Sequence, residues 1–217
     1  FSDIIVPDPE ISKLISELRA PYEKECRRII GQAGALLYRR GNFDGSWDNV
    51  ICDAIREQKD VEIALSPGFR WGTTLLPAQP ITIDDLYSQT AMNYPAVYRT
   101  YMTGEQLKTM LEDVCDNLFN PNPYYQQGGD MVRVGGVSYR CAPKELIGKR
   151  IQNMVMSKTG ESLEPNKKYT VGGWASVNPE TRGPAIYDVL EEYIIRKKII
   201  IRLTNLLIQQ LGFWGFG

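Results

Sequence analysis

The sequence predicts an α+β fold: a mixed sheet with flanking helices, and a linker helix in front. Three observations lead there. Short apolar runs such as residues 61–65 have strand length. Longer stretches place apolar residues on one helical face, most clearly Leu107, Met110, Leu111, Val114 and Leu118. The two kinds of segment alternate without strict strand–helix–strand order, which points to a mixed sheet.

Pro7 and Pro9 make the first ten residues extended or turning. Ile11, Leu14, Ile15 and Leu18 then mark one face of a helix that Pro21 ends, and residues 23–28 form a second, charged helical stretch. These read as a connector, residues 1–30, feeding a domain that starts near Gly31. Residues 35–38 read as a strand. Asp44 or Ser46 caps a helix whose apolar face is Trp47, Val50, Ile51, Ala54 and Ile55. Residues 61–65 form a central strand that runs out into the turn-rich loop 66–72. Thr82 with Asp85, and Thr103 with Gln106, are capping boxes, and residues 96–101 are a strand between them. Residues 119–130 are a loop. Residues 131–134 and 137–141 flank Gly135-Gly136, a hairpin signal. Residues 151–156 and 169–174 are strands, and Pro184 opens a helix through Tyr193.

The 217 residues carry 25 basic and 26 acidic side chains, four cysteines and no histidine. Without histidine there is no Ser-His-Asp or Cys-His machinery, no histidine-based zinc site and no imidazole base. A net charge of −1 lacks the basic excess of a nucleic-acid surface. No apolar run reaches the roughly 18–20 residues of a membrane helix; the nearest, at 199–208, is broken by Arg202 and Asn205. Phe1 opens into Ser2-Asp3-Ile4-Ile5-Val6 with neither initiator methionine nor signal peptide, so a piece of a longer protein is expected. Cys26, Cys52, Cys115 and Cys141 are widely spaced, which disfavours a metal knuckle; buried thiols with room for one bridge are expected.

Three places could carry chemistry. Arg70 leaves the C-terminal end of the central strand, where open sheets bind ligands, and its fork of donors suits an oxyanion. The alternative is a surface arginine stacked on Trp71. Arg39-Arg40 could share an anion with Arg70, or be solvated charge at a strand end. The loop Tyr124-Tyr125-Gln126-Gln127-Gly128-Gly129-Asp130 is either a recognition loop or an Ω-loop packed by its own tyrosines. Phosphate-loop, dinucleotide and calcium-hand motifs are missing.

Four segments then carry a family resemblance: Leu37-Tyr38-Arg39-Arg40-Gly41; Ala64 through Thr74, with its Ser66-Pro67-Gly68-Phe69-Arg70-Trp71-Gly72 core; Tyr101-Met102-Thr103-Gly104; and the long run from Pro123 to Gly136. Together they resemble the C-terminal domain of the 5′-nucleotidase superfamily, and within it the SoxB-type thiosulfohydrolases of sulfur oxidation, over residues 1–195. The resemblance implies a two-domain periplasmic enzyme. Its other domain would hold two manganese ions on Asp, His and Asn ligands, so this chain would bind no cofactor, supply no catalytic residue or metal ligand and be inactive alone.

Matched position by position, Arg70 corresponds to the arginine that holds substrate phosphate in nucleotidases, and Arg39, with Arg40 one step away, to a second. The implied substrate-binding set is Arg70, Arg39, Arg40, Trp71, Tyr124, Tyr125, Gln127, Gly129 and Asp130. Nucleotidases sandwich the base between two rings; Asn93 and Ser176 fall at those positions, with Tyr94 and Trp174 offset. The implied substrate is therefore a cysteine S-thiosulfonate on a sulfur-carrier protein (SoxYZ-like), with no nucleic acid or membrane as partner. The alternatives are a 5′-nucleotidase or related phosphoesterase, and a non-catalytic carrier-binding module. Residues 31–203 make the domain, residues 199–205 could be its last strand, and residues 204–217 are a divergent tail.

Overall fold

The structure is a computed structural model that describes the backbone of residues 5–69 and 72–200 and the side chains through residue 198 outside that gap. In chain order the elements are α1 (Pro9–Arg19), α2 (Glu23–Cys26), β1 (Ile29–Ala33), α3 (Ser46–Lys59), β2 (Ile63–Ser66), β3 (Pro80–Thr82), α4 (Ile83–Thr90), β4 (Tyr98–Thr103), α5 (Gly104–Phe119), β5 (Arg133–Gly135), β6 (Val137–Cys141), β7 (Ile151–Met156), β8 (Lys168–Gly173), α6 (Ile186–Lys197) and β9 (Ile199–Ile200). The main sheet runs β4-β8-β2-β5. Strands β2 and β8 are parallel, while β4–β8 and β2–β5 are antiparallel, so the sheet is mixed as expected. A smaller sheet runs β3-β1-β9, and β6 pairs with β7.

Strand β2 is buried along its whole length because both faces are covered. Ile63 and Leu65 pack with Leu107, Tyr169 and Val171 on the α5 side. Ala64 joins Trp47, Ile51, Ile55, Leu190 and Ile194 on the side of α3 and α6. Two covered faces explain why the strand reads as a continuous apolar run rather than an alternating one. Both expected capping boxes form, on α4 and α5. They satisfy backbone donors that the first helical turn would otherwise leave open.

Several expectations are corrected. Residues 35–38 make no strand: Leu37 bridges Leu75, while the backbone of Leu36 and Tyr38 bonds the Ser46 hydroxyl. That bonding also takes Ser46 away from capping α3, whose N-cap is Gly45; the Asp44 carboxylate accepts from the Gly45 amide and the Asn49 side chain. Strand β4 starts two residues later than expected, and Ala96 instead bridges Ala185. Gly135-Gly136 is not a hairpin turn. Strand β5 pairs with β2 and β6 with β7, so the chain changes sheets at Gly136. Gly136 has φ of 85°, and a Cβ there would lie 2.2 Å from the Glu62 carbonyl oxygen, so only glycine fits the corner.

The linker helix α1 forms, capped by Asp8, and Arg19 ties its end to Asp84 of α4 at 2.8 Å. Its apolar face, Ile11, Leu14, Ile15 and Leu18, is exposed among the described residues. The tail 204–217 and residues 201–205 of the expected last strand lie outside the described residues.

Candidate functional site

The loop that leaves β2 is gripped from three directions. The buried Ser66 hydroxyl accepts from Trp174 Nε1 at 2.8 Å. The Pro67 carbonyl accepts from Arg39 Nη2 at 3.0 Å, and the Arg39 guanidinium sits 5.4 Å from the Phe69 ring centroid. Phe69 in turn meets Trp174 edge-on, with centroids 6.4 Å apart. Gly68 abuts the Asp130–Met131 backbone so closely that a Cβ would lie 2.3 Å from the Met131 carbonyl oxygen. Past residues 70 and 71, the buried Gln89 of α4 donates from Nε2 to the Thr73 carbonyl at 2.9 Å. Arg70 and Trp71 themselves lie outside the described residues, but the chain on both sides of them is fixed by these bonds.

Arg39 is 1% exposed, not a solvated charge at a strand end. Its Nε donates to Asp48 Oδ1 at 2.7 Å and its Nη1 to the Gln89 carbonyl at 2.6 Å. Three of its nitrogens are thus engaged inside the protein, and the side chain positions the loop 67–69. Arg40 is exposed and makes no hydrogen bond or ion pair with the described residues. The two neighbours therefore stand in different surroundings, one buried and one in solvent.

Sequence reasoning missed the partners at the centre. Asp48 is fully buried on α3, and Arg133 Nε lies 3.2 Å from its Oδ2, at ion-pair distance without hydrogen-bond alignment. Arg133 Nη2 donates to the Gly41 carbonyl at 2.5 Å and lies 3.8 Å from Asp130 Oδ2. Two buried guanidiniums therefore face two buried carboxylates, which join the Arg39 segment, α3, β5 and the start of the 130s loop into one cluster. The signal was legible: Asp48 shares a helical face with Ile51, Cys52 and Ile55, an odd place for a charge.

Burial pushes the Asp48 carboxyl up to about 6, against the pull of Arg39 and Arg133. The same burial lowers Arg39 from its usual range. Since the folded chain holds the Asp48 proton more tightly than the unfolded chain, this contribution to stability is full below 3.8 and is lost as pH rises through about 6. The difference in unfolding free energy between the parent chain and Asp48→Asn should therefore shrink across that window, as followed by urea unfolding. A difference independent of pH would contradict the raised value.

The loop after α5 presents its aromatics outward. Tyr124, at 93% exposure, and Tyr125 project from a short 3-10 turn, Pro123–Tyr125, so the tyrosines do not pack the loop from within. Gln126 Nε2 bonds the Asn120 carbonyl and the Gly128 amide bonds the Asn117 carbonyl, which ties the loop back to the end of α5. Gln127 and Gly129 are exposed, whereas the Asp130 side chain turns inward beside Arg133. The structure thus joins Arg39, Asp130 and the flanks of residues 70–71, and leaves Arg40, Tyr124, Tyr125, Gln127 and Gly129 exposed on the surface.

The chain has no histidine, and among the described residues no three His, Cys, Asp or Glu side chains gather to hold an ion. No helix of the described residues is long and apolar enough to cross a membrane.

Comparison with curated proteins finds no match. Among solved structures, sulfate thiohydrolase SoxB of Thermus thermophilus, in complex with glycerol, is similar at 31% identity and a TM-score of 0.85, over 94% of this chain and 39% of that one. A 5′-nucleotidase precursor, also from Thermus thermophilus, superposes at a TM-score of 0.71 and 17% identity, over 90% of this chain and 42% of that one. The NAD nucleotidase of Haemophilus influenzae gives 0.62 and 18%, over 88% and 39%. At such identities the last two show a shared fold only, and in all three cases this chain spans about two-fifths of the relative. The family model for the 5′-nucleotidase C-terminal domain matches residues 30–177, from β1 past β8 and through every segment that forms the arginine cluster. With that match and the shared fold, this chain belongs to the 5′-nucleotidase C-terminal domain family.

Proposed function

We propose that this chain is the substrate-binding part of a periplasmic, SoxB-type thiosulfohydrolase, which releases sulfate by hydrolysis from a cysteine S-thiosulfonate on a sulfur-carrier protein. The observation that carries the reading is the likeness to SoxB at 31% identity over 94% of the chain. Two manganese ions would belong to a separate metal-binding domain, and this chain would contribute no ligand to them.

What this chain would do is bind and orient. Arg70, on the loop fixed by Arg39, Trp174 and Gln89, would hold the anionic end of the substrate and offset charge as it grows there. Arg40, exposed nearby, adds a second cation. Asp130 and Arg133 would keep the base of the Tyr124–Asp130 loop against Gly68, and the exposed tyrosines, Gln127 and Gly129 would shape the channel for the carrier's arm. Trp71 flanks Arg70 in the same loop. A base sandwich is disfavoured because it needs two rings: Trp174 is 3% exposed with its Nε1 bonded to Ser66, Asn93 and Ser176 carry no ring, and the exposed Tyr94 is left as a single one.

Tryptophan fluorescence of the 217-residue chain tests this. A peptide bearing cysteine S-thiosulfonate should bind with a salt-sensitive affinity that Arg70→Ala abolishes, while AMP should not bind. In an enzyme complete with its metal domain, Arg70→Ala should lower kcat by about 10²–10³. Micromolar affinity for AMP would overturn the reading in favour of a nucleotidase. Turnover of loaded carrier by the isolated chain would overturn the division of labour.

A further inference from the structure

Cys115 lies on the inner face of α5 and Cys141 ends β6, 26 residues apart in sequence, yet their sulfurs are 3.5 Å apart. Both are thiols in the structure. The segment between them is the 116–140 excursion, which contains the exposed loop with Tyr124 and Tyr125, the inward-turned Asp130, the buried Arg133 and the corner at Gly136. We propose that Cys115 and Cys141 are a redox pair that closes to a disulfide across the base of this excursion, so that oxidation clasps the loop to the sheet.

The surroundings are built to hold the two sulfurs in register. Glu112, one turn before Cys115, accepts from the Ile151 amide at 2.7 Å and the Gly148 amide at 2.8 Å. Asp116, the next residue, accepts from Arg150 Nη1 at 2.6 Å. Helix α5 is therefore pinned to the start of β7, which pairs with Cys141 through Ile151. Forming the bond asks the sulfurs to close by about 1.5 Å, within reach of side-chain rotation. The two thiols are unequal. Cys115 is fully buried and Cys141 partly exposed. The hydrogen bond from Cys115 favours the Cys141 thiolate and lowers its value, while Cys115 is raised; Arg150 favours the thiolate at both, and Glu112 opposes it at both.

The difference in exposure assigns the steps, because an oxidant reaches the partly exposed Cys141 before the buried Cys115. The Cys141 thiolate attacks one sulfur of an external disulfide oxidant and expels a thiol, which gives a mixed disulfide. Cys115 then loses its proton and attacks the Cys141 sulfur, expelling the second thiol. Two protein thiols lose two electrons and two protons, and one oxidant disulfide becomes two thiols.

Oxidised glutathione is the probe. After treatment of the native 217-residue chain and alkylation under denaturing conditions, two thiols, Cys26 and Cys52, should be labelled, the protein mass should be lower by two hydrogens before labelling, and a peptide pair linking Cys115 to Cys141 should appear. Oxidation should raise the melting temperature by on the order of 5–10 °C in the parent chain and by nothing in Cys115→Ala. Cys141 in that variant should stop at the glutathione adduct. Chymotryptic cleavage at Tyr124 and Tyr125 should slow on oxidation. A stable glutathione adduct on Cys141 of the parent chain, a link between other cysteines, or four labelled thiols would overturn the pair; unchanged cleavage would overturn the clasp.

Discussion

Replacing Asp48 by alanine should lower the unfolding free energy by about 3–5 kcal/mol, because it removes the carboxylate between two buried guanidiniums. Arg39 and Arg133 are each about 1% exposed and are shut off from water. Arg39 would keep its bonds to the Gln89 and Pro67 carbonyls but lose the partner of its Nε. Arg133 would keep the Gly41 carbonyl and the more distant Asp130. The charge balance of the cluster would shift by one positive unit in a poorly solvated place, where a lone charge is most costly. Urea unfolding at neutral pH measures the loss, with an unchanged denaturant slope if the denatured state is unaltered. Asp48→Asn should lose less, since an amide oxygen can still accept from Arg39. Asp84→Ala, which breaks the exposed pair with Arg19, should fall within about 0.5 kcal/mol of the parent. Near-equal losses for Asp48→Ala and Asp84→Ala would show that the buried cluster does not hold the fold.

Local chemistry was the most legible part of this sequence. The capping boxes at Thr82 and Thr103 depend on residues three apart, and both form. Residues 61–65 read as a central strand, and β2 forms there at Ile63–Ser66 with both faces covered, a condition that leaves a plain apolar run. Legibility ended where a long-range partner decides. Gly135-Gly136 has hairpin chemistry, but β5 finds a better neighbour in β2, far back in the chain, and the glycine serves a change of sheet instead. Residues 35–38 have strand composition, but a hydroxyl on α3 takes their backbone groups. The candidate site divides in the same way. The loops that converge were recognisable as segments, whereas the inward turn of Arg39 was not, because its partners Asp48 and Gln89 lie on two separate helices.

Gly68→Ala should separate folding from the geometry of the site. The added Cβ would lie 2.3 Å from the Met131 carbonyl oxygen and 2.9 Å from Asp130 Cβ, so backbone rather than a flexible side chain must yield. The β2 loop and the start of the 130s loop would have to move apart. The former is anchored by Arg39 and Trp174. The latter is anchored by the Met131 amide bond to the Asn42 carbonyl and by Arg133. Strain between two anchored backbones should lower stability by about 1–3 kcal/mol, measurable by the same urea titration. The larger effect should be on substrate. Displacing a binding group by about 1 Å can reduce kcat/KM on the order of 10²-fold, and in an enzyme complete with its metal domain Gly68→Ala should do so while the chain remains folded. Stability lost with kcat/KM intact would mean that the contact between these loops serves the fold alone, and that the anion-binding role belongs to another part of the surface.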